Sequence, residues 1–240
     1  MKDFLKIGIV VADIDEYKPL LNYISTNDCN NYSFLGRTGH RFFVEGENAR
    51  AEIISVLCGI GKVNAAAVTA HFVDIGCDIV LNFGLSGGIS GVRRGDICAC
   101  ASYLEHDFDL TGIGYKPCEK PLQKYIYNAD KRLIKMLCEL VPGIKIGTAV
   151  SGDYFVCDVE RRNFLKTAFN AMTCDMETAA AAYVCEFAGL PFVAVRKVSD
   201  DAGADAFAGY SEMNAQNDRN LIDIIFALIR KILDSAELFQ

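Results

Sequence analysis

A helix that must stop and a strand that must be buried follow one another directly in this chain, and together they dictate an α/β architecture. The Ala-rich run Thr178 to Phe187 favours helix. Gly189 and Pro191 end it, as a glycine at a helix C-terminus with a proline just beyond commonly does. Phe192 to Val198 (FVAVRKV) is then a short, Val-rich apolar run. A run of that length, bounded by turn residues, reads as a strand buried on both faces of a parallel sheet. Ser199, Asp200 and Asp201 stand at its carboxyl end, the edge on which open α/β sheets bind ligands. Asp175, Met176 and Glu177 form an acidic turn ahead of the helix. Carboxylates from both sides, with Arg196 between them, therefore reach one rim. From spacing alone, helix capping and solubility explain Asp175 and Asp200 equally well.

The same alternation recurs through the chain. Lys6 to Ala12 (KIGIVVA) predicts a buried first strand, followed by Asp13, Ile14, Asp15 and Glu16 and a helix to about Ser25. Acids in a first helical turn are ordinary complements of the helix dipole. Phe34 to Leu57 reads as two or three antiparallel strands with turns at Thr38-Gly39 and Gly46-Glu47. Cys58 to Lys62 (CGIGK) leads into a helix over Val63 to Ile75. It resembles half of a phosphate-binding loop but lacks the full spacing and the following Ser or Thr. Asp78 to Phe83 is the next strand, followed by the Gly-rich turn Gly84-Leu85-Ser86-Gly87-Gly88. Asp96 to Glu105 predicts a strand, Ala129 to Leu140 a helix, Lys145 to Val150 a strand, and Glu160 to Phe169 a helix. Ser151 to Phe155 again follow a strand end. Thr111 to Tyr127 has no regular pattern, and loops of that size are usually functional or part of an interface. Asn214 to Leu233 carries the apolar stripe of a core-facing terminal helix.

Composition narrows the function classes. The 240 residues suit one domain spanning 1–240, and a net charge of −7 without a basic stripe excludes non-specific nucleic-acid binding. No stretch is long and apolar enough for a membrane span or a signal peptide, which predicts a soluble, cytoplasmic protein. The ten cysteines are scattered through apolar runs without a CxxC and read as buried thiols. Three histidines give little support to a His-based metal cluster.

Seven segments in order resemble the nucleoside phosphorylase superfamily, and within it the 5′-methylthioadenosine/S-adenosylhomocysteine nucleosidase branch. They are KIGIVVADIDE, CGIGKVNAAA, NFGLSGGISGVRRGDI, HDFDLTGIGY, VSGDYF, DMETAAAAYVC and VRKVSDDA, and they cover nearly the whole chain. The resemblance implies a three-layer α/β/α domain around a mixed, partly barrel-like sheet, commonly working as a homodimer. It makes Asp200 the acid that protonates the purine at N7 and Glu16 the base that activates water. It gives Glu177 the ribose hydroxyls, with Met176 beneath the sugar, Phe155 stacked on the base and Val156 reading the base edge through its backbone. Arg196 and Ser199 match neighbours of the ribose and of the acid, and Ile60 a wall of the 5′ pocket. Ile113 and Pro121 match positions that complete a neighbouring subunit's pocket. Asp13 and Leu85 depart from the usual pattern, which has an apolar and a small polar residue there, and Ser86 lies beside Leu85.

Chemistry agrees with these roles. Breaking an N-ribosidic bond passes through an oxocarbenium-like centre, so one carboxyl can protonate the leaving base while another activates the nucleophile. No cofactor is required. A phosphorylase would need cationic donors for phosphate. The first strand instead ends in ADIDEY, while Arg37, Arg41, Arg93 and Arg94 fall elsewhere, so water is the expected nucleophile. A phosphate-dependent phosphorylase and a non-catalytic nucleoside-binding relative remain the alternatives.

Overall fold

The computed structural model describes residues 4–24, 29–215 and 220–239. Its first half builds an open sheet from β1 (Phe4–Val11), β2 (Cys29–Phe34), β3 (Arg37–Glu45), β4 (Arg50–Leu57) and β5 (Ile79–Gly88). Between them lie α1 (Ile14–Ile24) and α2 (Lys62–Asp74). The second half adds β6 (Ile97–Glu105), the two-residue β7 (Tyr127–Asn128), β8 (Lys145–Ser151), β9 (Ala171–Asp175) and β10 (Phe192–Asp200). Its helices are α3 (Lys131–Leu140), α4 (Val159–Phe169), α5 (Thr178–Ala188), α6 (Ala206–Ala215) and α7 (Asn220–Asp234).

β1 pairs in parallel with both β4 and β5, and β3 pairs antiparallel with β2 and β4. β5 pairs in parallel with β10, while its last two residues, Gly87 and Gly88, turn to pair with Cys174 and Thr173 of β9. The pairings β10–β6, β6–β8 and β8–β9 complete a ring with β5. The sheet is thus mixed and closes into a barrel at one end, as the family resemblance implies. Helices cover both faces. Gly8 of β1 lies under Phe72 of α2, where any Cβ would collide with the ring. On the other face, Phe42 of β3 and Tyr23 of α1 both meet Phe226 of α7.

Four local expectations change. The β2–β3 turn is Leu35-Gly36, both at positive φ, the backbone that a two-residue hairpin turn demands. Thr38 and Gly39 therefore lie inside β3. Gly84 to Gly88 continue β5 rather than forming a turn, because β9 and β10 supply backbone partners there. Asp175 of the acidic turn before α5 ends a strand, β9, whose short run AMTCD gives no periodic signal, and Met176 and Glu177 make the bend. The single terminal helix from Asn214 becomes α6 and α7, and its stretch 216–219 lies outside the described residues, as does the predicted helix end at Ser25.

Candidate active site

Strand ends from both halves of the fold open into one cavity of about 510 Å³, within the size range of small-molecule sites. Its wall holds Ala12 and Asp13 after β1, Glu16 of α1, Ile60 after β4, and Leu85, Ser86 and Gly87 of β5. Tyr154, Phe155 and Val156 follow β8, Cys174 and Asp175 end β9, Met176 and Glu177 follow, and Ser199 and Asp200 end β10. The predicted residues Asp200, Glu16, Glu177, Met176, Phe155, Val156, Ser199, Ile60, Leu85, Ser86 and Asp13 all meet there. Arg196 lies beneath the wall rather than in it, only 1% exposed. Ile113 is exposed and, like Pro121, contributes nothing to this cavity.

Arg196 is the buried charge around which the carboxylates are arranged. Its Nε donates to Asp175 Oδ2 (3.1 Å) and its Nη2 to Asn82 Oδ1 (2.8 Å), with Glu177 Oε2 at 4.0 Å. Asp175 also accepts from Ser151 Oγ (2.6 Å) and from the backbone N–H groups of Glu177 and Thr178 (3.0 Å each). It therefore caps α5 and pairs Arg196 at once, and the guanidinium and these donors hold its carboxyl below the usual carboxylate range despite burial. A buried ion pair that loses one partner leaves an uncompensated charge. Arg196→Met should lower stability by about 3–5 kcal/mol, measured by denaturant unfolding. A loss under about 1 kcal/mol would mean that Asp175 does not depend on it.

The three candidate working carboxyls have distinct surroundings. Glu16 accepts from Leu85 N–H at Oε1 (2.6 Å) and from Asp13 N–H at Oε2 (3.3 Å). Burial pushes it up to about 7, against the pull of Arg196 and of those two N–H groups. It reaches β5 because residue 84 is glycine: a Cβ there would collide with both Arg196 Nη1 and Glu16 Oε1. Glu177 accepts from Gly61 N–H at Oε1 (2.9 Å), and burial beside Asp175 raises it. Gly61 sits at φ 105, so the CGIGK turn spends a backbone donor on a carboxylate of its own chain, not on a phosphate. Asp200 takes Ser199 Oγ–H at Oδ2 (2.6 Å) and Ala202 N–H at Oδ1 (2.8 Å), and burial raises its pKa.

The other wall is apolar and aromatic. Val156 is buried, while Phe155 meets Tyr210 edge-on at 5.8 Å between centroids. Tyr210 and Phe207 of α6 line the cavity, in a segment to which the sequence assigned no element. The only available signal was an aromatic pair three residues apart, as one helix face would present it. Asp153 was also passed over. Its Oδ1 accepts Lys62 N–H (2.8 Å) at the start of α2, where Gly61 brings no capping side chain, and this links the Phe155 loop to the Gly61 turn. Ser86 Oγ is buried at the wall with no hydrogen-bond partner among the described residues. The arginines judged remote are committed elsewhere: Arg37 to Cys58 O (2.7 Å), Arg41 to Glu52 (3.1 Å), Arg94 to Glu212 (2.9 Å).

Comparison with known proteins gives the family of the chain. The family model described as "Phosphorylase superfamily" matches residues 6–234. A 5′-methylthioadenosine/S-adenosylhomocysteine nucleosidase of Tolumonas auensis is 33% identical over 229 residues, covering 91% of this chain and 97% of the relative. One from Halalkalibacterium halodurans is 31% identical, covering 95% and 99%. The solved Helicobacter pylori nucleosidase with butyl-thio-DADMe-Immucillin-A superposes with a TM-score of 0.88 at 25% identity, covering 95% of this chain and 99% of that one. A futalosine hydrolase of the same organism reaches the same TM-score and identity, covering 95% and 98%. The chain belongs to the phosphorylase superfamily and, within it, to the 5′-methylthioadenosine/S-adenosylhomocysteine nucleosidase family.

Proposed function

We propose that this protein hydrolyses the N-ribosidic bond of a purine nucleoside bearing a 5′ substituent, of the methylthioadenosine and adenosylhomocysteine class. The observation that carries this reading is the charge of the cavity wall. Five carboxyl groups line it (Asp13, Glu16, Asp175, Glu177 and Asp200), and among the described residues no Lys or Arg does. Such a wall offers a phosphate dianion no cationic partner, whereas water needs none. Asp200, buried on the wall that Phe155 and Val156 also line, gives its proton to purine N7 as the C–N bond breaks. Glu16 takes a proton from the water that attacks the anomeric carbon from the opposite face. Glu177 accepts the ribose hydroxyls and sets negative charge beneath the developing oxocarbenium. Met176 packs under the sugar, Phe155 stacks on the base, and the Val156 backbone meets the base edge.

The test is purine release from methylthioadenosine, adenosylhomocysteine, adenosine, inosine and uridine, each with and without phosphate. Release from the purine nucleosides at equal rates in both conditions is the expected result. Release that requires phosphate would make the enzyme a phosphorylase.

We also propose a homodimer in which Ile113 and Pro121 of one subunit close the 5′ end of the other's cavity. In support, Ile113 and Leu122 are exposed apolar side chains on a long loop that leaves the cavity of its own chain open. Sedimentation at assay concentration should give twice the chain mass of 26.3 kDa, and a fully active monomer would exclude the arrangement. The ten free thiols support work in a reducing compartment, the cytoplasm. No helix of the described residues is long and apolar enough to cross a membrane.

A further inference from the structure

Asp13 and Tyr210 are polar groups on the cavity wall to which the proposed hydrolysis assigns no task. The other four carboxyl groups are engaged in that reading: Asp200 serves the base, Glu177 the ribose hydroxyls and Glu16 the water, while Asp175 is held by Arg196 and Ser151. The 5′ substituent is the part of the nucleoside to which the reading assigns no polar group.

Local structure orients Asp13. It caps α1, its Oδ1 accepting Asp15 N–H at 2.7 Å and its carbonyl accepting Tyr17 N–H at 3.0 Å. That cap uses one carboxylate oxygen. Oδ2 meets no hydrogen-bond donor among the described residues, although the side chain lines the cavity. Tyr210 approaches from α6, its ring held edge-on by Phe155. Asp13 is the strongest of the charges acting on its hydroxyl, which burial pushes up. A carboxylate with a spare oxygen, on a wall shared with a phenol, is a receptor for a hydrogen-bond donor or a cation, and it penalises an apolar group that strips its water.

Building on the proposed nucleosidase reading, we infer that Asp13, assisted by Tyr210, is a specificity-determining residue. It selects nucleosides whose 5′ substituent carries a hydrogen-bond donor, an ammonium above all, over those ending in a plain thioether. S-adenosylhomocysteine has such an ammonium in its amino-acid tail, whereas methylthioadenosine has none. Discrimination by a charged hydrogen bond amounts to roughly 10- to 100-fold.

The experiment compares 5′-amino-5′-deoxyadenosine, adenosine and methylthioadenosine in the wild type, Asp13→Asn, Asp13→Leu and Tyr210→Phe. Asn preserves the cap through its own side-chain oxygen and removes only the charge, so a folding defect is not confounded with lost recognition. The kcat/KM ratio of the amino to the methylthio nucleoside should fall about tenfold or more in Asp13→Asn, further in Asp13→Leu, and less in Tyr210→Phe. The same ratio is read as Kd by calorimetry in an Asp200→Asn background, so slow turnover does not hide it. A ratio that moves less than about twofold in both Asp13 variants overturns the inference and leaves the nucleosidase reading intact. Failure of the wild type to bind or cleave any of the three overturns both.

Discussion

Asp200→Asn should bind purine nucleoside and turn it over at least about 10²-fold more slowly, with the loss in kcat rather than KM. Asn keeps the shape and can still accept the Ala202 N–H that Asp200 Oδ1 takes at 2.8 Å, so the pocket survives. What disappears is the proton. A purine leaving without protonation at N7 departs as an anion, and nothing else on that wall can neutralise it: the next hydroxyl, Ser199 Oγ, already lies 2.6 Å from the carboxyl. Burial acts in the direction this role needs, because it favours the neutral carboxylic acid over the carboxylate and raises the pKa of Asp200. The variant also isolates the base. Glu16, pushed up to about 7, carries its own proton below that pH and loses it above. With the acid deleted, residual kcat/KM should rise with pH through about 7 and then level off. A residual rate that falls over the same range would mean that Glu16 does not act as the base. Near-normal kcat in Asp200→Asn would remove Asp200 from its role altogether.

Glu16→Gln is the second large effect, again at least about 10²-fold in kcat, and it should not be rescued by raising the pH. The amide still receives the Leu85 N–H through its oxygen, so position is kept while basicity is lost. Water then meets the oxocarbenium-like centre without a proton acceptor. The neighbouring carboxyls do not substitute: Glu177 is bound to Gly61 N–H, and Asp175 is saturated by Arg196, Ser151 and two backbone donors. A rate within about tenfold of wild type would show that another group activates the water. Measuring Kd for methylthioadenosine alongside keeps the outcome specific. Unchanged binding with lost turnover places the defect in chemistry, whereas weakened binding would mean that the Gln side chain has displaced β5.

Both variants probe residues that were legible before any coordinates. Asp200 closes a run that reads as a buried strand and Glu16 stands in the helix just past another, so their positions near strand carboxyl ends were legible. Glu177 was legible as a residue of the turn before α5, although β9 itself was not, since five residues of mixed character carry no period. The α6 wall was missed for a related reason. Ala206–Ala215 has little amphipathic contrast, and its two aromatic residues face the cavity instead of the core. The Gly-rich segment of β5 looked like a turn because glycine is weak in strands. It stays extended because neighbours on both sides bond its backbone and press against the space where side chains would be.

The sequence by itself determined the α/β alternation and the strand ends that carry carboxyl groups, while the roles proposed for Asp200, Glu16 and Glu177 come from the family resemblance. The alternation and the strand ends follow from local rules, because burial period, helix stops and chain direction are properties of short segments. Only the tertiary structure decided that β5 bends to close a ring with β9 and β10, and that Arg196 lies under the wall as the countercharge of Asp175. It alone decided, too, that Asp13 and Tyr210 share the cavity. Each of these depends on residues far apart in the chain meeting in a desolvated space, where a carboxyl's protonation is set by what surrounds it and not by its neighbours in sequence.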